Sequence, residues 1–534
     1  MNVIVVGSGL AAVGAIRALL RQGHRPTVLD IGERPPATIV DTQTVMASRP
    51  PDAWTSDERQ RLAANESASG RGVPRKLVFG SDYFYSAEQT EASVNGAFRP
   101  GTPPWSPARG GFSVGWGAAV LPPAPSDIAD WPIGHDELLL HMRVALGDIP
   151  VSEPHDELSE VFGQLCLDRR EPLGLSRGQQ RLLEKLREAT GANATGRQSA
   201  AQVLVGQSRL LTQTQADAAT RCRLCGYCSS GCVYGSIYTA EHDLDRWIPE
   251  GRIDYRAGST VFLVRETARE VEVCFTRHGQ VESLRADRVL LAAGAVNSTR
   301  VLLNSAPVHL DTATIRRTGY AVQIFGSTEA LEVEWPSVNT QTSHFVALKD
   351  EGISPYWAHV QVGQPNELVL QRLGLTQANL RSVRGRFVKA AAGHLVSVAL
   401  NAHSSCGPTY EVRVQRNDAG LPKMETSQRW SDTSRRAVAM YGGLLARSLR
   451  RGGFYRVPFA KQDSGSALTY HFGASFPMSR QPRAPHDTDV LGRPFGWQRV
   501  HVVDTSVLPA IPATTVGVVT LGNAHRIATA AFAN

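Results

Sequence analysis

The stretch that most constrains this chain is its first thirty residues, MNVIVVGSGLAAVGAIRALLRQGHRPTVLD. A β-branched run, Asn2 to Val6, enters Gly7-Ser8-Gly9-Leu10-Ala11-Ala12; an apolar helical stretch and a second strand, Pro26 to Leu29, follow and end on Asp30. This order predicts a βαβ unit whose turn approaches a dinucleotide: Gly7 permits the tight turn, Gly9 admits a pyrophosphate to the backbone, and small Ala12 lets helix and strand pack closely. The helix N-terminus supplies uncommitted N–H groups and a positive dipole end for phosphates. Asp30 stands where a carboxylate accepts hydrogen bonds from a ribose, which favours FAD or NAD over a 2′-phosphorylated cofactor. Glycine-rich turns also occur with nothing bound, but here strand, turn, helix and terminal acid agree.

The remaining 504 residues of the 534 leave room for two or three domains. The net charge of +7 comes mostly from scattered arginines, without the basic block or interleaved aromatics of a nucleic-acid surface, so no nucleic-acid partner is expected. No apolar run reaches the roughly 18 residues of a membrane span. The apolar N-terminus lacks the basic flank of a signal peptide, and a cytoplasmic location is expected. Of seven cysteines, four crowd into eleven residues, which argues against a secreted, disulfide-stapled fold.

Residues 34–75 show little periodicity beyond a helical pattern at Asp57 to Ala64, and read equally as a lid or a surface excursion. Next comes Ala108-Arg109-Gly110-Gly111-Phe112-Ser113-Val114-Gly115-Trp116-Gly117-Ala118-Ala119. Gly110, Gly111 and Ser113 let the backbone lie against a flat ligand or phosphate, and Trp116 can pack on rings; a plain tight turn is the other reading. Asp130-Trp131-Pro132-Ile133 and Asp136-Glu137-Leu138-Leu139-Leu140 then suit a helix start.

These pieces resemble the N-terminal half of the glucose–methanol–choline (GMC) family of FAD-dependent oxidoreductases, the loop being most similar to that of pyranose oxidases and related sugar-oxidising members. Members with a covalent flavin carry a histidine where this chain has Gly115, so the resemblance implies noncovalent FAD. Further on, Val289 to Ala295 and the helix after it match the family pattern AGAxxSxxLLLxS through Ala293, Gly294, Ala295, Ser298, Leu302, Leu303 and Ser305. By the same resemblance, Ala293 and Gly294 contact the cofactor and Val261 lies near its adenine.

The cysteines Cys222, Cys225, Cys228 and Cys232 have the spacing C-x2-C-x2-C-x3-C of a bacterial ferredoxin run, with Val233 in place of its proline. Some GMC flavin subunits carry a related loop that holds an iron–sulfur cluster. A [4Fe–4S] or [3Fe–4S] centre, free or disulfide-bonded structural thiols, and zinc all remain open on spacing alone. Iron here would offer electrons an exit from the flavin.

From 306 to 464 period-two stretches such as Ala330–Glu334, His344–Leu348, Trp357–Val362, Leu395–Leu400 and Tyr410–Val414 predict an antiparallel sheet. A helix follows with Ser431 or Asp432 as N-cap and Val438, Tyr441, Leu444, Leu445 and Leu449 on its apolar side. The C-terminal Tyr470-His471-Phe472-Gly473 and Arg499 to Pro509 segments resemble the family's HxxGTxxMG and RVxxxDxSxxP segments. The resemblance makes His471 the catalytic base and Asp504 a flavin contact. The place of the family's second active-site residue, usually Asn or His, holds threonine, with Thr515 first and Thr514 second. An imidazole suits alcohol oxidation because it can take the hydroxyl proton as hydride leaves the carbon. His403, His501 and His525 lack such context and read as structural or surface residues.

The expected fold class is α/β, with a discontinuous FAD-binding Rossmann-like domain (1–140, 195–305 and 465–534) and an antiparallel-sheet substrate domain (141–194 and 306–464). The expected reaction is oxidation of a CH–OH group of a small-molecule alcohol, foremost a sugar or amino sugar, with O2, a quinone or a redox protein as electron acceptor. Competing readings are a lipid or sterol alcohol oxidase, a flavin-dependent lyase, and an electron-transfer component.

Overall fold

The structure is a computed structural model that describes residues 1–63, 76–86, 101–167, 171–191, 201–306, 310–463 and 469–533. Residues 64–75 of the irregular stretch, and the expected domain boundaries at 194/195 and 464/465, lie outside the described residues. The strands of the first half are β1 (Val3–Val6), β2 (Thr27–Leu29), β3 (Gln202–Gln207), β4 (Asp254–Arg256), β5 (Thr260–Glu266), β6 (Val271–Arg277), β7 (Gln280–Ala286) and β8 (Arg288–Leu291). Those of the second half are β9 (Thr312–Arg317), β10 (Gly319–Ser327), β11 (His344–Asp350), β12 (Ser354–Gly363), β13 (Leu395–Ala402), β14 (Thr409–Gln415), β15 (Lys423–Arg429), β16 (Phe454–Asp463), β17 (Phe472–Gly473) and β18 (Val500–Val502).

A parallel sheet of order β18-β8-β1-β2-β4 forms one centre. All four residues of β1 are buried, as expected of a strand covered on both faces. The helices Leu10–Arg21, His135–Leu146 and Val516–Ala531 share the large core of this sheet. Gly14 makes the first and last of these approach closely, since a Cβ there would lie 2.1 Å from the Leu521 carbonyl oxygen. The chain leaves β1 toward β2 on one side and returns through β8 on the other. The crevice beyond the carboxyl ends of β1 and β8 is therefore the place where such sheets bind ligands.

The second centre is a six-stranded antiparallel sheet of order β16-β10-β13-β12-β11-β3. On β12, Ala358, Val360 and Val362 pack into a core shared with Leu182 and Leu186 of the helix Arg177–Thr190 and Leu445 and Leu449 of the helix Asp432–Arg450. The alternate residues, Trp357, His359 and Gln361, take the opposite face. A four-stranded sheet, β15-β14-β9-β17, brings the chain back at Phe472, which pairs with Arg317. The strands β5, β6 and β7 form a separate antiparallel sheet.

Residues 202–207 pair with β11 at the edge of the six-stranded sheet. Position 140 falls inside the continuous helix His135–Leu146. Ala330–Glu334 is irregular: Leu331 and Val333 are buried, giving a period-two pattern, but the segment joins no ladder among the described residues.

Candidate active site

The carboxyl ends of four parallel strands converge on one cavity of about 450 Å³. β1 delivers Gly7 to Ala11, β2 delivers Asp30, β8 delivers Ala292 to Asn297, and Asp504 follows β18. Gly7 has φ +99°, and a Cβ would sit 2.5 Å from the Ala292 carbonyl oxygen, so only glycine fits. Gly9 caps the helix Leu10–Arg21 without a side-chain hydrogen bond, leaving its first-turn N–H groups free of a side-chain cap at the cavity wall. Ala12 is fully buried in that helix and contributes packing, not cavity surface.

Asp30 accepts from Ser8 Oγ at 2.5 Å and from the Tyr255 hydroxyl at 2.7 Å. Burial pushes its carboxyl up to about 6 despite those two hydrogen bonds. Ser8 Oγ also accepts from Gly110 N at 2.9 Å, which ties the glycine turn to the second glycine-rich loop. In that loop Gly111 and Ser113 line the cavity. Gly110 lies behind them, while the Ser113 hydroxyl donates to the Gly110 carbonyl and accepts from Ala240 N. Trp116 donates from Nε1 to the Tyr238 carbonyl at 2.7 Å, which fixes its ring against the cavity. Val261, Ala293 and Gly294 line the wall. Asp504 accepts from Ser298 Oγ and, at 3.0 Å, from Ser506 N; burial raises its pKa against those bonds.

His471 lines the same cavity. Its carbonyl accepts from Thr318 N at 3.1 Å just before β17, which anchors the residue to the four-stranded sheet. Its Nδ1 is buried without a partner among the described residues, and burial depresses its pKa to about 4, so the ring is neutral near neutral pH. Thr515 also lines the cavity, and its Oγ1 accepts from Leu121 N at 2.7 Å. That bond leaves the Thr515 O–H available as a donor. Thr514 is fully buried off the cavity with its hydroxyl unpartnered among the described residues. Of the two threonines, only Thr515 lines the cavity that His471 also lines.

Sequence reasoning missed part of this wall. Tyr85, Phe84, Phe112 and Tyr470 form an aromatic side, with the Tyr85 and Tyr470 hydroxyls 2.8 Å apart and the Phe112 and Tyr470 rings 4.9 Å apart. Gln361 reaches the cavity from β12. The available signal was the polar pair His359 and Gln361 at period two within an otherwise apolar strand.

The four clustered cysteines occupy one loop around the short 3-10 turn Cys228–Ser230, and all seven cysteines are free thiols. Among the described residues, no three His, Cys, Asp or Glu side chains come together as a metal ion requires. Burial raises the thiol pKa of Cys222, Cys225 and Cys228, and neighbouring cysteines of the set Cys222, Cys225, Cys228 and Cys232 raise each of them further. Hydrogen bonds reach three of the sulfurs: Cys222 Sγ accepts from Asn339 Nδ2 at 3.6 Å, Cys228 Sγ from Thr340 N at 3.3 Å, and Cys232 Sγ from Ser236 N at 3.2 Å. Among the described residues, no helix is long and apolar enough to cross a membrane.

No protein-family model matches the sequence, and no curated protein matches it. By structure the chain is similar to the crystal structure of pyridoxine 4-oxidase from Mesorbium loti, with a TM-score of 0.60 and 16% sequence identity. The likeness covers 99% of this chain and 98% of that one, so the two share a fold over nearly their full lengths.

Proposed function

We propose that the chain is an FAD-dependent oxidoreductase of the GMC type that oxidises a CH–OH group of a small polar alcohol. One observation carries this reading: a single cavity joins the Gly7–Gly9 turn, Asp30 and Asp504 to the neutral imidazole of His471. The likeness to a solved oxidase supports it. The glycine turn and the helix Leu10–Arg21 would hold the pyrophosphate, Asp30 a ribose, and Gly111, Trp116, Ala293, Gly294 and Asp504 the rest of FAD. Gly115 offers no nucleophile for a covalent link, and a Cβ there would lie 2.9 Å from the Phe84 ring. Bound FAD would supply the hydride acceptor.

His471 takes the hydroxyl proton, and the Thr515 O–H donates to the substrate oxygen as negative charge develops there. Gln361, Tyr470 and Tyr85 give the cavity hydrogen-bonding groups, which favours a polar alcohol such as a sugar over a sterol. The test is anaerobic mixing of the purified holoprotein with a panel of sugars, amino sugars and other polar alcohols. Bleaching of the flavin by one of them, lost in His471→Ala while FAD stays bound, is the expected result. Failure of every alcohol to bleach it, or an unchanged rate in His471→Ala, overturns the reading.

A further inference from the structure

Residues 364–394 are an excursion that the reaction above does not use. The chain leaves β12 at Gly363, which pairs with Ser397 of β13, so it departs from and returns to one point of the six-stranded sheet. Two helices lie between, Glu367–Arg372 and Val383–Ala392. Their inner side is filled: Leu370, Leu375 and Ala392 are buried in one cluster with Tyr227, Val233 and Trp335. Asn379 Nδ2 donates to the Gly374 carbonyl, and a Cβ on Gly374 would lie 3.2 Å from Arg384 Nη2, so the start of the second helix sits beside the end of the first. No residue of the excursion lines the cofactor cavity.

The outer side is both apolar and basic. Val383 and Phe387, one turn apart on the second helix, are 77% and 75% exposed, more than any other large apolar side chain among the described residues. Leu373, at the end of the first helix, is 41% exposed. Single exposed apolar residues are ordinary, but these three share one excursion whose core is supplied by other residues. Around them Arg372, Arg381, Arg384 and Arg386 are exposed and Lys389 is half-buried, and none of the five forms an ion pair among the described residues. The one acid of the excursion, Glu367, is fully buried and accepts from Ser229 N and Ser230 N. The outer face therefore carries positive charge with no exposed carboxylate to offset it.

We propose that this face docks the protein on an anionic lipid bilayer: Val383, Phe387 and Leu373 enter the headgroup layer while the surrounding arginines meet lipid phosphates. The chemistry selects that occupant. Basic residues around protruding apolar ones are the composition of surface-lying membrane helices, and clusters of four or more Lys and Arg on such a helix favour anionic lipid. A nucleic acid would reward the cations but not Val383 and Phe387. An acidic protein would need pockets shaped for two side chains that stand almost free of their own helix, whereas a bilayer takes them without a matching shape. The contact is peripheral and independent of the proposed oxidation, because the excursion and the cavity share no residue.

The test is flotation of the full-length holoprotein with vesicles of phosphatidylcholine alone or with about 30% phosphatidylglycerol. Wild type is expected to float with the anionic vesicles and not with the neutral ones, and to bind at least about tenfold more weakly when salt is raised from about 0.1 M to about 0.5 M. Val383→Ser with Phe387→Ser is expected to weaken binding about tenfold through lost apolar insertion. Arg381→Gln with Arg384→Gln and Arg386→Gln is expected to weaken it about a hundredfold, at roughly a tenth of the affinity kept per cation removed from near the surface, softened by the cations that remain. No binding to anionic vesicles, or equal binding by wild type and both variants, overturns the proposal. So does poly-L-glutamate bound as tightly as the vesicles and equally by the Val383→Ser, Phe387→Ser variant, which would assign the face to an acidic polymer. A dimer in lipid-free sedimentation that this variant dissolves would assign it to a second copy of the chain and overturn it too. Should a multiple variant not fold, Phe387→Ser alone decides, and vesicle binding equal to wild type refutes the docking role.

Discussion

Ser8 donates its hydroxyl to Asp30 at 2.5 Å while accepting from Gly110 N at 2.9 Å, so one side chain links the acid after β2 to both glycine-rich loops. The link fixes the carboxylate at the carboxyl edge of the sheet, where burial has already raised its pKa to about 6. A ribose that donates to this carboxylate needs its charged form. Affinity for FAD is therefore expected to be level above about pH 6 and to fall by up to about tenfold per unit below it. Binding isotherms of apoprotein with FAD across that range check this, and Asp30→Asn should bind FAD more weakly and flatten the profile.

Gly7→Ala tests the turn itself. The added methyl meets the Ala292 carbonyl oxygen at 2.5 Å, and φ +99° is strained for any side chain. A loss of about 2–4 kcal/mol is expected from strain plus displacement of the β8 turn. Thermal unfolding with and without FAD reads it, and a variant as stable as wild type with full FAD content would refute the role of the turn.

These features differ in how they were legible. The βαβ unit could be read because its chemistry is local: each glycine's task is set by residues within a few positions of it. Asp504 and His471 were found through segments resembling a family, since nothing in their own spacing says that β18 and β17 end at the same cavity. Gln361 and Tyr85 stayed hidden because strand alternation on β12 brings Gln361 to the cavity and a turn distant in sequence brings Tyr85, and a period-two pattern does not say which face meets a cofactor. Spacing likewise could not tell whether four cysteines converge, because the partners of their sulfurs, Asn339, Thr340 and Ser236, decide how they are held. Ala330–Glu334 had the alternation of a strand but pairs with no strand among the described residues.

The two adjacent threonines should separate cleanly. Thr515→Val removes a hydroxyl donor from the cavity that His471 lines and strips Leu121 N of its acceptor, so a slower flavin reduction and a stability loss of about 1–3 kcal/mol are expected together. Thr514→Val replaces a hydroxyl that is buried and unpartnered among the described residues, so stability should hold or rise and the rate should not change. Denaturant titration and anaerobic stopped flow on both variants check this. The reverse pattern would move the active-site role to Thr514.

The pH dependence of the reaction follows from the burial of His471. Burial disfavours its charged form and brings its pKa to about 4, against about 6.5 for an exposed imidazole. A base must be neutral to take a proton, so kcat/KM for the alcohol, measured on holoprotein saturated with FAD, should rise with pH through about 4 and be level well before 6.5. A limb near 6.5 would mean that His471 is solvated in the loaded enzyme or is not the base. The His471→Ala variant sharpens the test, because free imidazole in the buffer can enter the space left by the ring. If the limb belongs to His471, imidazole restores part of the rate, and the restored activity titrates in the ordinary imidazole range, above the wild-type limb. Restoration with the limb still near 4 would assign that titration to another group, such as the substrate.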